Sequence, residues 1–256
     1  MSLKIGLVGC GAVGNFIVKK INEGMIKAKL IALYDRNYEK SLKLAKILDV
    51  KACKSLDELV KEDIDLVVEA ASINAVEEVV KKSILNNRDV LILSVGAFAD
   101  KNLFLNICKL LKNSNNRVYI PSGAVAGLDA LKVIKYCKNK RVKLRTVKSP
   151  KSLGVDVKEE TILFRGNALD AIKKFPANIN VAITLSLAVG YPIDVEIVAN
   201  PNIDKNRHEI YVESDISNIK IILENKPLKD NPKTSALAAY SIVKTINEIQ
   251  ENIRIV

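Results

Sequence analysis

Five apolar runs in the first half of the chain constrain its fold more than any other feature. They occupy residues 3–8, 30–34, 64–71, 89–95 and 117–120. None shows the strict apolar–polar alternation of a strand with one wet face, so each reads as a strand covered on both sides. Between them lie stretches with helical spacing at 12–23, 38–48, 75–86 and 103–113, and a short run at Lys51-Ala52-Cys53. Ser55-Leu56-Asp57-Glu58 opens one more helix with a capping-box pattern. Strands alternating with helices over short connections predict an α/β fold, a doubly wound parallel sheet with right-handed crossovers. Ligands on such a sheet bind beyond the carboxyl ends of its strands. The rim so defined comprises residues 9–14, Asp35, Ala71-Ser72, 94–98 and 121–127.

The second half has a different texture. A linking helix is expected over 124–137, then strands at 142–147, 161–164, 195–199, 208–212 and 219–223, with helices at 168–174 and 177–189. These strands alternate more, as a mixed or antiparallel sheet with one covered face does. A last helix is expected over 234–251, after Pro232. The predicted division is an N-terminal Rossmann domain, 1–122, completed by the C-terminal helix within 232–256, and a second α+β domain, 123–231.

A chain of 256 residues suffices for two such cores. Hydrophobic residues make up 48% and charged residues 27%, a globular rather than disordered balance. No run reaches the roughly 18–20 uncharged apolar residues of a membrane span, and residues 1–5 lack the regions of a signal peptide. A cytoplasmic protein without a membrane partner is the expectation. Four cysteines with no C-x-x-C pair, and one histidine, argue against zinc and for reduced thiols. The net charge of +11 suits a solvated lysine surface, a field that gathers anionic ligands, or nucleic acid. The most basic stretch, 138–151, alternates like a half-buried strand and carries no aromatic residue to stack on bases. Nucleic acid is therefore not expected.

Gly9-Cys10-Gly11-Ala12-Val13-Gly14 follows the first strand and opens the first helix. In that context the spacing signals a dinucleotide. Gly9 permits the tight turn, Gly11 lets a pyrophosphate approach, and Gly14 lets the helix sit on the strand. Ala12 and Val13 begin the helix whose free N–H groups would meet the phosphates. Asp35, ending the second strand, would accept hydrogen bonds from the adenosine ribose and favour NAD. Arg36 would suit the 2′-phosphate of NADP, or is a solvated charge. Ala71 and Ser94 complete the expected cofactor rim.

Four more stretches are distinctive: Pro121-Ser122-Gly123-Ala124-Val125-Ala126-Gly127-Leu128-Asp129-Ala130, Phe175-Pro176-Ala177-Asn178-Ile179-Asn180-Val181-Ala182, Asn206-Arg207-His208-Glu209-Ile210 and Asn231-Pro232-Lys233-Thr234-Ser235. Together, and with Ser94-Val95-Gly96-Ala97, they closely resemble the L-aspartate dehydrogenase family over essentially the whole chain. The resemblance implies oxidation of L-aspartate by NAD or NADP to iminoaspartate, which hydrolyses to oxaloacetate and ammonia or feeds NAD biosynthesis. It also implies a homodimer built on the second domain. It maps the active-site histidine onto His208, and cofactor contacts onto Ala124 and Asn180, with Asn178 a close second. A base with a near-neutral pKa suits amine oxidation, and His208 is the chain's one histidine. A structural histidine and a helix-capping asparagine are the plain alternatives for His208 and Asn180.

A dicarboxylate needs donors or cations at both ends. Ser122, Asn206, Lys233, Thr234 and Ser235 are candidates, the last two as an anion site at a helix start, with helix capping the competing role for Thr234. Rival functions are another enzyme of the same architecture, like homoserine dehydrogenase or dihydrodipicolinate reductase, or a non-catalytic NAD(P)-binding redox sensor.

Overall fold

The computed structural model describes residues 2–175, 180–228 and 231–253, with backbone alone at 231–233. The chain divides into two compact units, Met1–Pro121 with Ala239–Val256, and Ser122–Ala238.

The first unit alternates strand and helix: β1 (Leu3–Val8), α1 (Ala12–Asn22), β2 (Ala28–Tyr34), α2 (Tyr38–Ala45), β3 (Lys51–Cys53), α3 (Leu56–Lys61), β4 (Leu66–Glu69), α4 (Val76–Leu85), β5 (Asp89–Ile92), α5 (Lys101–Lys112) and β6 (Val118–Tyr119). The six strands form one parallel sheet in the order β3-β2-β1-β4-β5-β6. β4 is buried along its whole length, as its unbroken apolar pattern requires. The order reverses between β1 and β4, and this switch point is where α/β sheets bind ligands. Ser55 caps α3 by accepting the Glu58 N–H at 3.1 Å, while the Glu58 carboxylate accepts from Lys54 N–H at 2.8 Å. The C-terminal helix α10 (Ala236–Glu248) and the turn after it close this unit. Asn247 Oδ1 accepts from Lys27 N–H, Gln250 Oε1 from Leu3 N–H, and Tyr240 meets Phe16 edge to face at 5.3 Å.

The second unit contains α6 (Leu128–Ile134), β7 (Lys140–Lys148), α7 (Pro150–Leu153), β8 (Thr161–Asn167), α8 (Ala168–Lys174), α9 (Asn180–Val189), β9 (Asp194–Ala199), β10 (Asn206–Ser214), β11 (Asn218–Asn225), β12 (Pro227–Leu228) and β13 (Asn231–Ser235). Five strands make a mixed sheet, β11-β10-β7-β9-β8, in which only β7 and β9 run parallel. One face is apolar and buried: Val142 and Leu144, Ile210 and Val212, Val195 and Ile197. The opposite face carries charge. Arg145 pairs with Glu160, Glu196 and Glu209, and Lys143 and Arg165 also reach Glu196 at 2.8 Å. The basic stretch is thus a strand whose outward cations sit among acids.

Two expected helices differ. The linking helix is confined to Leu128–Ile134, because Gly127 takes a left-handed φ of 72° and holds the chain out of helix before it. The last helix starts at Ala236, not Thr234. Residues 231–235 form β13, paired with β12, so strand pairing outweighs the local resemblance of Thr234-Ser235 to a helix start.

Candidate active site

The glycine loop leaves β1 at the switch point. Gly9 has φ +99°, and a β-carbon there would lie 2.6 Å from the carbonyl of Ala70. A β-carbon at Gly14 would meet the Gly9 oxygen at 2.1 Å, so the helix rests on the strand with no room for any side chain. Gly11 is different: nothing lies within 4 Å of the place its β-carbon would take. Gly11 is also the N-cap of α1, without a side-chain cap, and the first turn of that helix carries no acid. Open space over uncapped N–H groups is what a pyrophosphate needs. Ala12 and Val13 sit in that turn, exposed and half-buried.

Asp35 follows β2 directly. Its Oδ2 accepts from Cys10 N–H of the loop and its Oδ1 from Asn37 N–H, both at 2.8 Å. The carboxylate is half-buried and fixed beside the loop, while Arg36 is exposed. These residues fit a dinucleotide.

Ala71 and Ser94 are joined by a residue that sequence reasoning passed over inside an apolar run. Glu69, at the end of β4, is fully buried. Its Oε1 accepts from Ala71 N–H at 2.8 Å and Ser94 Oγ–H at 2.9 Å. Its Oε2 accepts from Ser94 N–H at 2.9 Å and Leu93 N–H at 3.2 Å. Burial pushes the carboxyl pKa up, against the pull of these four donors. One acid therefore sets the conformation of two rim segments.

In the second unit the polar residues of the buried sheet face gather at one end. His208 lies on β10 opposite Thr146 of β7, and its Nδ1 is 3.0 Å from Thr146 Oγ1, both buried. Burial, with the charge of Lys148 second, lowers the His208 pKa to about 4. The ring is neutral at neutral pH. Where Nδ1–H donates to Thr146, Nε2 keeps a lone pair for a proton. Asn206 is two residues away on the same face, half-buried, and faces Asn225 of β11. Buried Asn225 donates from Nδ2 to the carbonyl of Ala124 at 3.3 Å, which brings Ala124 to this cluster.

Other expected residues are placed less closely. Asn180 is the exposed first residue of α9, and Asn178 lies outside the described residues. Ser122 is half-buried at the start of this unit. Thr234 and Ser235 are half-buried on β13 rather than at a helix start, and Ser235 Oγ is a buried hydroxyl with no hydrogen-bond partner. The side chain of Lys233 lies outside the described residues. Thr146, Lys148, Asn225 and Glu69 are residues of these clusters that the sequence does not single out as candidates. The strand alternation at 142–148 was the one available signal, for Thr146 and Lys148.

The four cysteines are free thiols, and among the described residues no cluster of histidine, cysteine or acid could hold a metal. No described helix is long and apolar enough to cross a membrane.

Residues 129–249 match the family described as aspartate dehydrogenase, C-terminal, and residues 9–121 match the homoserine dehydrogenase NAD-binding domain. An L-aspartate dehydrogenase of Methanocaldococcus jannaschii is 51% identical, over 99% of each chain. One from Methanothermobacter thermautotrophicus is 42% identical, over 99% of this chain and 98% of that one. The crystal structure of an aspartate dehydrogenase from Thermotoga maritima superposes over 100% of both chains with a TM-score of 0.83 at 35% identity. With a full-length fold match and half its residues shared, the chain belongs to the L-aspartate dehydrogenase family.

Proposed function

We propose that the protein is an NAD(P)-dependent L-aspartate dehydrogenase, oxidising L-aspartate to iminoaspartate, which hydrolyses to oxaloacetate and ammonia or supplies NAD biosynthesis. The observation that carries this is a buried His208 whose Nδ1 lies 3.0 Å from Thr146 Oγ1, in a chain of this family. Bound NAD(P) would supply the hydride acceptor. Gly9, Gly11, Ala12, Val13 and Gly14 would hold its phosphates, Asp35 and Arg36 its adenosine ribose, and Ala71, Ser94, Ala124 and Asn180 the rest. The chain's own chemistry is proton management. Oxidation at Cα needs the substrate nitrogen without its ammonium proton, and His208 Nε2 takes that proton. Ser122, Asn206, Lys233, Thr234 and Ser235 are proposed substrate ligands. The orphaned hydroxyl of Ser235 supports its place among them.

The protein would act in the cytoplasm, in keeping with its free thiols. It would be a homodimer through the charged face of the second sheet. Ile162 and Ile222 lie on that face, 48% and 52% exposed, beside buried Glu196 and Glu209.

The test is to follow NADH or NADPH absorbance with a panel of amino acids, and in reverse with oxaloacetate and ammonia. Turnover selective for L-aspartate is expected, and His208→Ala should lower kcat by about 10²-fold or more while NAD binding persists. No turnover with either substrate set would sink the assignment. NAD(P) binding without turnover would leave the redox-sensor reading standing.

A further inference from the structure

A histidine can take the proton, and the carboxylate attached to the reacting carbon needs a cation beside that histidine. Lys148 is placed to be that cation. It ends β7 two residues beyond Thr146, so it lies on the same sheet face as Thr146 and His208. Same-face neighbours on a strand are about 7 Å apart, and a lysine side chain spans nearly that distance. Other residues around His208 on that face are Asn206 of β10, Leu223 and Asn225 of β11, and Ile197 and Ala199 of β9. None of those is charged. Arg145 and Arg207, the nearest other cations on these strands, project to the opposite face and pair with Glu209.

Building on the aspartate dehydrogenase reading, we infer that Lys148 is the cation that receives a substrate carboxylate beside His208. In aspartate the α-carboxylate is one bond from the carbon that bears the nitrogen. A group that binds it must therefore neighbour the base that serves the nitrogen. Burial lowers the pKa of Lys148, which is the mark of an ammonium drawn out of water. The carboxylate contact also acts on the base. Lys148 is the charged group that depresses His208, so a carboxylate laid against it cancels part of its field. Substrate binding thereby makes His208 a stronger base at the moment it is needed.

The full-length protein carrying Lys148→Met or Lys148→Arg tests this. Lys148→Met should raise KM for L-aspartate by about 30-fold or more, as loss of one partner from a desolvated charge pair does, with kcat less affected and NADH affinity unchanged. Lys148→Arg should recover part of the loss. His208 is the chain's one histidine, so its ring gives a single NMR titration. Its midpoint should rise in Lys148→Met, and succinate should raise it in the wild type but not in that variant. An unchanged KM and an unchanged succinate response, in a variant that still binds NADH, would overturn the assignment of Lys148 alone. A wild type that fails to turn over L-aspartate would overturn it together with the proposed function.

Discussion

His208 Nδ1 and Thr146 Oγ1 lie 3.0 Å apart on paired strands, both shielded from water. Thr146→Val keeps the shape and removes the partner. A buried polar atom left unpaired costs about 1–3 kcal/mol, and the ring loses the contact that fixes its tautomer. Withdrawing about 1.4 kcal/mol from a transition state slows a reaction about tenfold, so kcat should fall by at least that much. Thr146→Ser should restore it, and NADH affinity should stay constant in both. Full activity in the valine variant would show that Thr146 does not orient the base.

Stability should depend on pH through the same histidine. Its folded pKa is about 4 against an ordinary 6.5, so between those values the unfolded chain binds more protons. Stability is then present above pH 6.5 and is lost as pH falls towards 4. The shift corresponds to about 3 kcal/mol. Urea unfolding of the wild type and of His208→Gln at pH 7 and pH 4.5 isolates this contribution. The wild type should lose more stability than the variant on acidification, and equal losses would show that His208 does not titrate as described.

Much of this was legible in the sequence, for physical reasons. Unalternating apolar runs forced strands covered on both faces, and β1, β2, β4 and β5 followed. The glycine spacing was readable because each glycine answers a local demand of the backbone. Lys148 was hidden in plain view. The stretch 138–151 reads as a half-buried strand, but alternation does not tell which parity faces inward. Its odd-numbered cations, Lys143 and Arg145, proved to be outward, and Lys148 inward. Glu69 was lost inside an apolar run because its four donors come from two separate loops. Thr234 and Ser235 misled because their local chemistry suits a helix start, whereas a partner strand at 227–228 decides their backbone.

Glu69 should matter to cofactor binding without touching the cofactor. Glu69→Gln replaces one acceptor oxygen with an NH2 group. At the Oε1 position it would face Ala71 N–H, and at Oε2 it would face Leu93 N–H and Ser94 N–H. Either orientation sets donor against donor in a buried site, at about 1–3 kcal/mol. The rim at Ala71 and Ser94 must shift in response. NADH affinity, followed by fluorescence, should drop by about tenfold, the fold-change of 1.4 kcal/mol. Unchanged affinity would show that these two segments do not shape the cofactor site.

Asp35 requires a subtler substitution than alanine. Its Oδ2 holds Cys10 N–H of the glycine loop, so Asp35→Ala would disturb the phosphate cradle as well as the ribose contact. Asp35→Asn keeps an oxygen for Cys10 and removes the negative charge, at the cost of turning its NH2 towards Asn37 N–H, an exposed donor that water can take over. A carboxylate accepts from two ribose hydroxyls and repels a 2′-phosphate, whereas the amide does neither as strongly. Asparagine should therefore weaken NAD and improve NADP, with exposed Arg36 available to the extra phosphate. Alanine should weaken both. Dissociation constants for the two reduced cofactors, measured on both variants, decide the matter. An equal loss of NADH and NADPH affinity in Asp35→Asn would mean that the carboxylate only braces the loop and does not discriminate between the riboses.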